Sequence, residues 1–476
     1  MLTPYLRADT ARGCVYCFDP DSPRLRAALM TDPPREDTLL PAADLLDDLV
    51  FLHRLLQKQY AGYPDLLQHR DFDPPAFFAG WADRLGGAGC TVTFADAVIA
   101  PLVALRRVLP DNHLTFRGAD AALAREPSLT VHEYQATLAA DAPADTCSPL
   151  DTSDVRPSTL RTAPRLRSDG TVDLVLTASA SGAAASVRVR CGDRAIELQR
   201  RPTVPAPAAR PPRVPAYEWR EVGDTSVITL RHFALGPAAV RDQLRRLAED
   251  YALHAARPRV LFDLRGNGGG SLEYLTAWIA QARSGEWQSY ARLEIDGALW
   301  PCSAWNALVE QQIRDGVVDT AAAREERERL RAAWPPRPPT RTQRLVDPGL
   351  RRGRAAHPYG GRVFVLVDRH SGSSGELAAV ELKRALGATL IGERTSGAMQ
   401  YAQVRRLVLP RTGLVCQLAT RRFFFGDLDG DLESVGWPVD IYLEDTAQDA
   451  AVIATRLEAL PAAEAQPSLG VAPARR

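Results

Sequence analysis

The sequence predicts an α/β core with an N-terminal helical domain and a small β-rich domain. Two stretches indicate the core, because each is an apolar run that ends at a small-residue turn and leads into helical spacing. The first run, Val363–Val367, is followed by a Gly/Ser turn and a helix over Glu376–Leu386. The second, Val260–Leu264, is followed by a glycine turn and a helix from Ser271 to about Ala282. Unbroken apolar runs of this length are typical of strands buried on both faces.

The composition is that of an ordinary globular protein, and the length of 476 residues suggests about three domains. Lys+Arg and Asp+Glu both number 58, so no net charge attracts nucleic acid or an anionic membrane. No run reaches the ~18 apolar residues that span a bilayer. The start of the chain has no apolar signal-peptide segment. We therefore expect a cytoplasmic protein that binds neither nucleic acid nor membrane; its oligomeric state is left open.

Composition and periodicity divide the chain into five parts. The expected parts are an irregular lead-in (1–40, with a short strand at Cys14–Phe18), a helical domain (41–113), a small β-rich domain with a Pro-rich linker (114–215), an α/β core with an insertion at 285–360 (216–460), and a disordered tail (461–476).

Within these parts, helices are predicted where apolar residues recur at helical spacing. They are expected from Ala42, near Pro75–Leu85, and at Thr93–Leu109, Pro237–His254 and Ala447–Leu460, with a charged helix at Ala321–Ala333 in the insertion. Further strands are predicted from alternating or continuous apolar runs. They are expected at Val172–Leu176, Ser186–Arg190, Ile196–Leu198, Val227–Leu230, Ala388–Ile391, Val404–Leu409, Leu414–Leu418 and Val439–Leu443.

The cysteines and acidic runs predict no disulfide framework, metal or cofactor. Seven cysteines are an odd number scattered over the chain. Cys14 and Cys17 form a lone C-x-x-C, whereas a zinc site needs further ligands at suitable spacing. The acidic run Asp427–Glu433 resembles a calcium loop but lacks the glutamate expected at the twelfth position.

The turn after Val363–Val367 contains three serines, Ser371, Ser373 and Ser374. Ser373 and Glu376 have the S-x-x-E spacing of a capping box, which places Ser373 at the start of a helix. A serine there could attack a carbonyl while unpaired backbone N–H groups stabilise the oxyanion. The alternative is a serine that only caps the helix.

The glycine turn reads RGNGGGS over residues 265–271. A Rossmann G-x-G-x-x-G beginning at Gly266 would require glycine where Ser271 stands, and the absence of lysine excludes a Walker loop. The turn could present N–H groups or simply be a tight structural turn. A third stretch, RVLPDNHLTF, places His113 just after a turn.

Together these stretches resemble the family of serine peptidases that includes the C-terminal processing peptidases, the tricorn protease core and the retinoid-binding-protein repeats. The family pattern is a D-x-H-type motif, then DLRGNxGG, then a serine loop ending in S-x-x-E. Two later segments follow, here GERTSG (392–397) and ESVGWPVD (433–440). The resemblance covers roughly residues 40–445. It implies a crotonase-like or ClpP-like core and a reduced PDZ-like domain, since the usual carboxylate-binding glycine loop is missing.

The resemblance also indicates which branch of the family this chain follows. The processing peptidases use a Ser–Lys dyad, and the position of their lysine is occupied here by Ala398. The chain has only two lysines, Lys58 and Lys383, and we expect Lys383 to be a solvated helix residue. The tricorn-like branch uses Ser, His and Glu, which this sequence supplies as Ser373, His113 and Glu433.

The resemblance therefore implies a serine peptidase that acts on peptides or proteins without a cofactor or metal. Ser373 would be the nucleophile and His113 the base, with His370 as a competing base. Glu433 would orient the imidazole. The N–H groups of Ser374 and of Gly269 or Gly270 would form the oxyanion hole. Two alternatives stay open, namely transfer of the acyl group to an amine, as in peptide maturation, and a non-catalytic ligand-binding homologue.

Overall fold

The computed structural model describes most of the chain. The described residues are 6–9, 14–18, 23–87, 89–138, 147–150, 155, 159–182, 184–202, 215–234, 238–283, 359–422 and 432–459. The insertion predicted at 285–360 with its charged helix, apart from its last two residues, lies outside these ranges. So do the tail at 461–476, most of the Pro-rich linker and most of the acidic run Asp427–Glu433.

Helices are present in the predicted stretches that the structure describes, together with three additional helices that were not predicted. They are α1 Pro23–Met30, α2 Ala42–Gln59, α3 Tyr63–Gln68, α4 Pro74–Gly87, α5 Ala100–Val108, α6 Asp120–Arg125, α7 Ala238–Glu249, α8 Tyr251–Ala255, α9 Glu273–Ala282, α10 Ser374–Leu386 and α11 Ala450–Ala459. The additional helices are α1, α3 and α6. A π-helical turn, Ala95–Ile99, leads into α5. None of the helices in the described residues has the length and hydropathy needed to cross a membrane.

The strands include every predicted one and several more. They are β1 Leu6–Asp9, β2 Cys14–Phe18, β3 Leu39–Pro41, β4 Thr91–Thr93, β5 Thr115–Phe116, β6 Val131–Thr137, β7 Cys147–Pro149, β8 Arg161–Leu166, β9 Val172–Ser181, β10 Ser186–Cys191, β11 Arg194–Arg200, β12 Tyr217–Val222, β13 Thr225–Leu230, β14 Arg259–Asp263, β15 Arg362–Val367, β16 Thr389–Gly392, β17 Tyr401–Val408, β18 Val415–Arg422 and β19 Ile441–Leu443.

The chain forms two compact units. The first takes its described residues from Met1–Thr130 and Gln400–Ser434, and the second from Val131–Arg292, Leu345–Met399 and Val435–Arg476. Each unit therefore contains segments that are far apart in sequence. The expected five-part division stays a prediction.

The first unit packs helices α2 to α6 against a three-stranded antiparallel sheet in the order β17-β18-β5. The sequence predicts β17 and β18 as strands of the α/β core, but here they pair with β5 instead. The reason is that Leu407, Cys416 and Leu418 are buried in the helical core. Alternating residues show which face of a strand is apolar, but not which element covers that face.

The second unit contains a 12-stranded mixed sheet in the order β12-β13-β14-β15-β16-β19-β8-β9-β6-β11-β10-β7. In this order, the six strands from β13 to β8 run parallel to one another. The mixed α/β class is thus confirmed. Because β14 and β15 are adjacent and parallel, with Asp263 beside Leu366, the glycine turn and the serine turn leave the same edge of the sheet.

The β-rich strands belong to this same sheet. They join it where β8 pairs with β19, through Tyr442 beside Arg165 and Leu443 beside Leu166. They also have an apolar cluster of their own, which includes Tyr134 and Leu198. A small β-rich layer is therefore present, continuous with the core sheet by backbone pairing.

One disulfide corrects the prediction that the cysteines form no such bond. Cys147 of β7 and Cys191 of β10 are bonded at an S–S distance of 2.01 Å. The pair lies 44 residues apart, and only the antiparallel pairing of β7 with β10 brings the two residues opposite one another. Disulfides persist mainly in oxidising compartments. The predicted cytoplasmic location stays a prediction, and this bond weighs against it.

Candidate active site

Ser373 stands at the N-terminus of α10, directly after the turn that follows β15. Its backbone has φ 52° and ψ −122°, a conformation that residues with a side chain rarely adopt. Such strain persists only where surrounding contacts hold it, and it is concentrated at functional sites. Here the Ser373 N–H donates to Glu376 Oε2 at 3.1 Å, which is one arm of the predicted capping box.

Glu376 ties this turn to the segment 395–398. The carboxylate is fully buried and accepts four hydrogen bonds from that segment, two from the side-chain hydroxyls of residues 395 and 396 and two from the backbone N–H groups of residues 397 and 398. Burial raises the pKa of Glu376, and these hydrogen bonds oppose the rise. The backbone of Ser373 is therefore fixed by a satisfied buried carboxylate rather than by solvent-exposed contacts.

The glycine turn lies against the serine turn at distances that exclude side chains. A Cβ atom on Gly375 would lie 2.1 Å from the carbonyl oxygen of Asn267. A Cβ atom on Gly270, whose φ is 133°, would lie 2.1 Å from the Phe233 carbonyl oxygen. These glycines are required because two backbones approach one another here.

The N–H groups of this glycine turn differ in their partners. The Gly269 N–H donates to Asn267 Oδ1 at 3.0 Å, so it is already engaged. Within the described residues, neither the Gly270 N–H nor the Ser374 N–H has an acceptor. The Ser374 hydroxyl donates to the Gly270 carbonyl oxygen at 2.7 Å and holds the two residues together. Of the three predicted oxyanion-hole residues, Gly270 and Ser374 thus have N–H groups available for a ligand.

Backbone and side-chain hydrogen bonds hold the two turns in place. The Asn267 carbonyl accepts from the Gly372 N–H at 2.9 Å, and Asn267 Nδ2 donates to the Leu230 carbonyl at 3.0 Å. Asp368 Oδ1 accepts from the Gly266 N–H at 2.8 Å. Each turn therefore anchors the other through hydrogen bonds between them.

Lys383 is not the solvated residue that the sequence predicts. Its side chain is 17% exposed and forms an ion pair with Asp440, whose side chain is 4% exposed. Asp440 lies 57 residues away in the sequence, so the residue pattern of the helix alone could not identify it as the partner of Lys383. Lys383 also lies ten residues beyond Ser373, which is about 15 Å along a helix at ~1.5 Å per residue. It is held by Asp440 and is too far along α10 to take a proton from Ser373.

His113 lies in the first unit, between α5 and β5. Its side chain is 11% exposed, and its Nδ1 atom is 3.9 Å from Asp111 Oδ1. The same Asp111 oxygen accepts from the His113 N–H at 2.7 Å. Gln417 of β18 donates through Nε2 to the His113 carbonyl oxygen at 3.3 Å. The backbone on both sides of the imidazole is therefore fixed.

Glu433 lies close to His113 in the same unit. Its two oxygens accept from the Asn112 N–H at 3.3 Å and the Gln400 N–H at 2.9 Å. Asp111, His113 and Glu433 each contribute one potential ligand atom, and these three atoms all lie within 4.8 Å of one another. Two buried carboxylates therefore stand near one imidazole. Ser434, the next residue, has φ 65° and donates through Oγ to the Pro110 carbonyl at 3.0 Å.

Burial is the largest influence on the charge states around His113. It lowers the pKa of His113, while the Asp111 carboxylate and the Tyr401 backbone oppose the change and Arg106 adds to it. Burial also raises the pKa of Asp111, and His113 is the largest influence that opposes this rise. A lowered pKa keeps the imidazole neutral at neutral pH, which is the form that can accept a proton.

The predicted site residues thus form two groups, one in each unit. Ser373, Ser374, Gly269 and Gly270 belong to the second unit, while His113 and Glu433 belong to the first. The approach of His113 to Ser373 stays a prediction. Sequence reasoning missed Asp111 as a site residue, although it is the first residue of the D-x-H motif that was used to select His113.

Comparison with protein families decides the class of this site. Residues 224–443 match the model of peptidase family S41. This part of the chain belongs to peptidase family S41. The S41 region contains both turns, Ser373 and Glu433, and ends before α11; His113 lies outside it. The protein is therefore a serine-type peptidase, and its substrates are peptides or proteins.

Solved structures with a related fold include several peptidases. Mature CPAF is 17% identical over 84% of this chain and 92% of that one, with a TM-score of 0.42. The photosystem II D1 C-terminal processing protease is 14% identical over 86% and 98%, with a TM-score of 0.35. The tricorn protease is 13% identical over 88% and 37%, with a TM-score of 0.40. All three TM-scores are below 0.5, so the S41 assignment rests on residues 224–443. No curated protein sequence matches this chain.

Proposed function

We propose that this S41 peptidase hydrolyses peptide bonds through an acyl-enzyme on Ser373, with His113 as the general base and Glu433 orienting it. The observation that carries the proposal is the setting of Ser373. It stands in a strained backbone at the N-terminus of α10, beside two N–H groups, of Gly270 and Ser374, that have no acceptor among the described residues.

In the proposed reaction the imidazole of His113 takes the proton of the Ser373 hydroxyl as Oγ attacks the substrate carbonyl carbon. The carbonyl oxygen gains the negative charge and accepts hydrogen bonds from the Gly270 and Ser374 N–H groups. The protonated imidazole then gives its proton to the leaving amine. Water, deprotonated by the same imidazole, releases the acyl group and restores Ser373.

The N-terminus of α10 stabilises the negative charge on the substrate carbonyl oxygen, because the helix dipole places partial positive charge there. Gly269, the third predicted oxyanion-hole residue, contributes differently in this account. Its N–H is engaged with Asn267, and its missing side chain leaves room for Ser373 and Ser374. We therefore assign the two stabilising hydrogen bonds to Gly270 and Ser374.

A histidine base fits this chain better than a lysine base. Lys383 is paired with Asp440, and Ala398 occupies the position of the processing-peptidase lysine. His113 has a buried carboxylate on each of two neighbouring segments, Asp111 and Glu433, which would stabilise the imidazolium formed during attack. His370, three residues before Ser373, stays the alternative base.

The proposal is tested by Ser373→Ala in a proteolysis assay with an unfolded protein substrate such as casein. We expect hydrolysis to be lost while the protein stays folded, since a truncated cap serine destabilises by only ~1 kcal/mol. The matched control is Ser271→Ala, because Ser271 stands two residues before α9 and its Oγ lies 3.5 Å from the Glu273 nitrogen. Hydrolysis within a fewfold of wild type in Ser373→Ala would overturn the nucleophile assignment.

A further inference from the structure

We propose that Asp111, His113 and Glu433 form a binding site for one divalent transition-metal ion of the zinc class, and that an ion bound there inhibits the peptidase. The binding stands on the geometry of the first unit alone. The inhibition rests on the proposed function, because it requires His113 to be the base.

The three side chains offer a suitable set of donor atoms. One imidazole nitrogen and two carboxylate oxygens all lie within 4.8 Å of one another. Three protein ligands with an open position are typical of exchangeable zinc sites. Zinc binds such donors at ~2.0–2.2 Å, so neighbouring donors in a tetrahedral site are about 3.4 Å apart. The most distant pair of donor atoms therefore has to approach by up to about 1.4 Å, which side-chain rotations can supply.

A second observation indicates a missing ligand. His113 Nδ1 is buried and has no hydrogen-bond partner among the described residues, whereas the Asp111 carboxylate has the Tyr60 hydroxyl beside it. His113 and Asp111 are only 9% and 0% exposed. A buried polar atom without a partner is destabilising by roughly 1–3 kcal/mol. A cation at this site would give His113 Nδ1 the partner that it lacks.

The third ligand, Glu433, is already held in the manner of a metal-binding carboxylate. Its oxygens accept hydrogen bonds from the N–H groups of Asn112 and Gln400. Each carboxylate oxygen has two lone pairs, so a carboxylate that accepts hydrogen bonds can also ligate an ion. In natural metal sites, hydrogen bonds to the ligating side chains fix the orientation of those side chains.

The local charge favours one cation. Asp111 and Glu433 together carry two negative charges when ionised, and the neighbouring Arg106, 8% exposed, supplies one positive charge. The buried group is thus left one charge negative. Arg106 opposes a divalent ion in part, so we expect weaker binding than at a structural zinc site.

An ion at this place would prevent the proposed chemistry. The imidazole lone pair that binds a metal cannot accept a proton from Ser373 at the same time. The carboxylate of Glu433 would likewise be occupied. Zinc would therefore act as an inhibitor, and removal of metal by EDTA alone would leave the activity undiminished.

Binding is tested by isothermal titration of ZnCl2 into the full chain carrying Ser373→Ala, Cys14→Ser, Cys17→Ser and Cys90→Ser. The first substitution prevents self-cleavage, and the others remove the C-x-x-C thiols and an exposed thiol that could bind zinc elsewhere. We expect one equivalent of zinc to bind, and Asp111→Asn or Glu433→Gln to weaken it at least tenfold. His132→Gln is the control, since His132 also has a buried Nδ1 without a partner but belongs to the second unit.

Circular dichroism of each variant shows whether it is folded. Co2+ titrated in place of zinc supplies a second measurement, since its visible absorption reports ligation directly. The proposed metal site is overturned if the parent protein binds no zinc. It is also overturned if Asp111→Asn and Glu433→Gln bind zinc as tightly as the parent does.

Inhibition is measured separately on the protein with Ser373 intact. We expect ZnCl2 to reduce proteolysis reversibly, with EDTA restoring it. If zinc binds, and the variants weaken its binding as expected, but proteolysis is not reduced, the proposal that the ion inhibits the peptidase is overturned. The Ser373→Ala assay stays independent of these outcomes, so failure of the metal site is distinguishable from failure of the proposed function.

Discussion

A Cβ atom on Gly269 would lie 2.9 Å from the Cβ atom of Ser373 and 2.9 Å from the backbone nitrogen of Ser374. Real Cβ atoms do not approach so closely, and the φ of Gly269 is 103°, which residues with side chains rarely adopt. The glycine turn therefore sets the position of both the proposed nucleophile and a proposed oxyanion donor.

Gly269→Ala should reduce kcat at least ~10²-fold, because removing oxyanion-hole geometry has effects of that size. Gly268→Ala is the matched control, since a Cβ atom on Gly268 would meet nothing within 4 Å. Steady-state kinetics on one peptide substrate compares the two. Similar kcat values for the two variants would show that the close approach has no catalytic meaning.

Replacing Lys383 should affect stability rather than chemistry. Lys383→Arg keeps the charge opposite Asp440 and should retain activity within a fewfold. Lys383→Met removes the cation from the buried Asp440 carboxylate, which keeps its hydrogen bond from the Leu390 N–H, and should destabilise the protein by roughly 3 kcal/mol. His113→Ala should instead reduce kcat at least ~10²-fold with little change in the melting temperature. Inactive Lys383→Arg beside active His113→Ala would reverse the assignment.

The pH dependence of kcat/KM should have its acidic limb below pH ~6.5, the ordinary pKa of histidine. Burial lowers the pKa of His113, and the base must be neutral to act, so activity should persist until the pH falls through that lowered pKa. Asp111→Asn removes a charge that raises the pKa of His113, so its residual activity should show a limb at lower pH still. A limb unchanged by this substitution contradicts the assignment of His113.

His254 should make the stability of the folded protein, rather than its activity, depend on pH. Trp278 Nε1 donates to His254 Nδ1 at 3.1 Å, and the Tyr217 hydroxyl lies 3.1 Å from Nε2 and donates to Asp250 at 2.8 Å. Protonated Nδ1 could not accept the tryptophan hydrogen bond. Burial accordingly lowers the pKa of His254 to about 4.

The unfolded chain binds a proton at His254 near pH 6.5, whereas the folded chain does so only near pH 4. Stability from this residue is therefore complete above pH 6.5 and declines as the pH falls toward 4, by about 3 kcal/mol in all. Urea unfolding at pH 7 and pH 5 should show a smaller difference in His254→Gln than in wild type. His69→Gln, at an exposed residue, should keep the wild-type difference.

Much of the fold follows from periodicity alone. The strand predicted at Val363–Val367 is β15, and the helix predicted to end at Leu386 is α10, because both are continuous patterns in short segments. The helix predicted over Pro237–His254 is interrupted at Asp250, where α7 ends and α8 begins.

What sequence could not provide is the pairing of distant segments. Lys383 pairs with Asp440, and Cys147 bonds to Cys191, only because the fold brings segments from different parts of the chain together. The same limit applies to Asp111. A motif places it beside His113, but only the position of Glu433, over 300 residues later, makes it part of a group of three.

The most direct test of the central claim is labelling with a serine-directed fluorophosphonate, followed by intact mass spectrometry and peptide mapping. We expect wild type to gain the mass of one probe, with the adduct on Ser373, and Ser373→Ala to gain none. His113→Ala should be labelled much more slowly, since an unactivated serine is a poor nucleophile. Equal labelling of wild type and Ser373→Ala, or an adduct on another serine, would contradict the account.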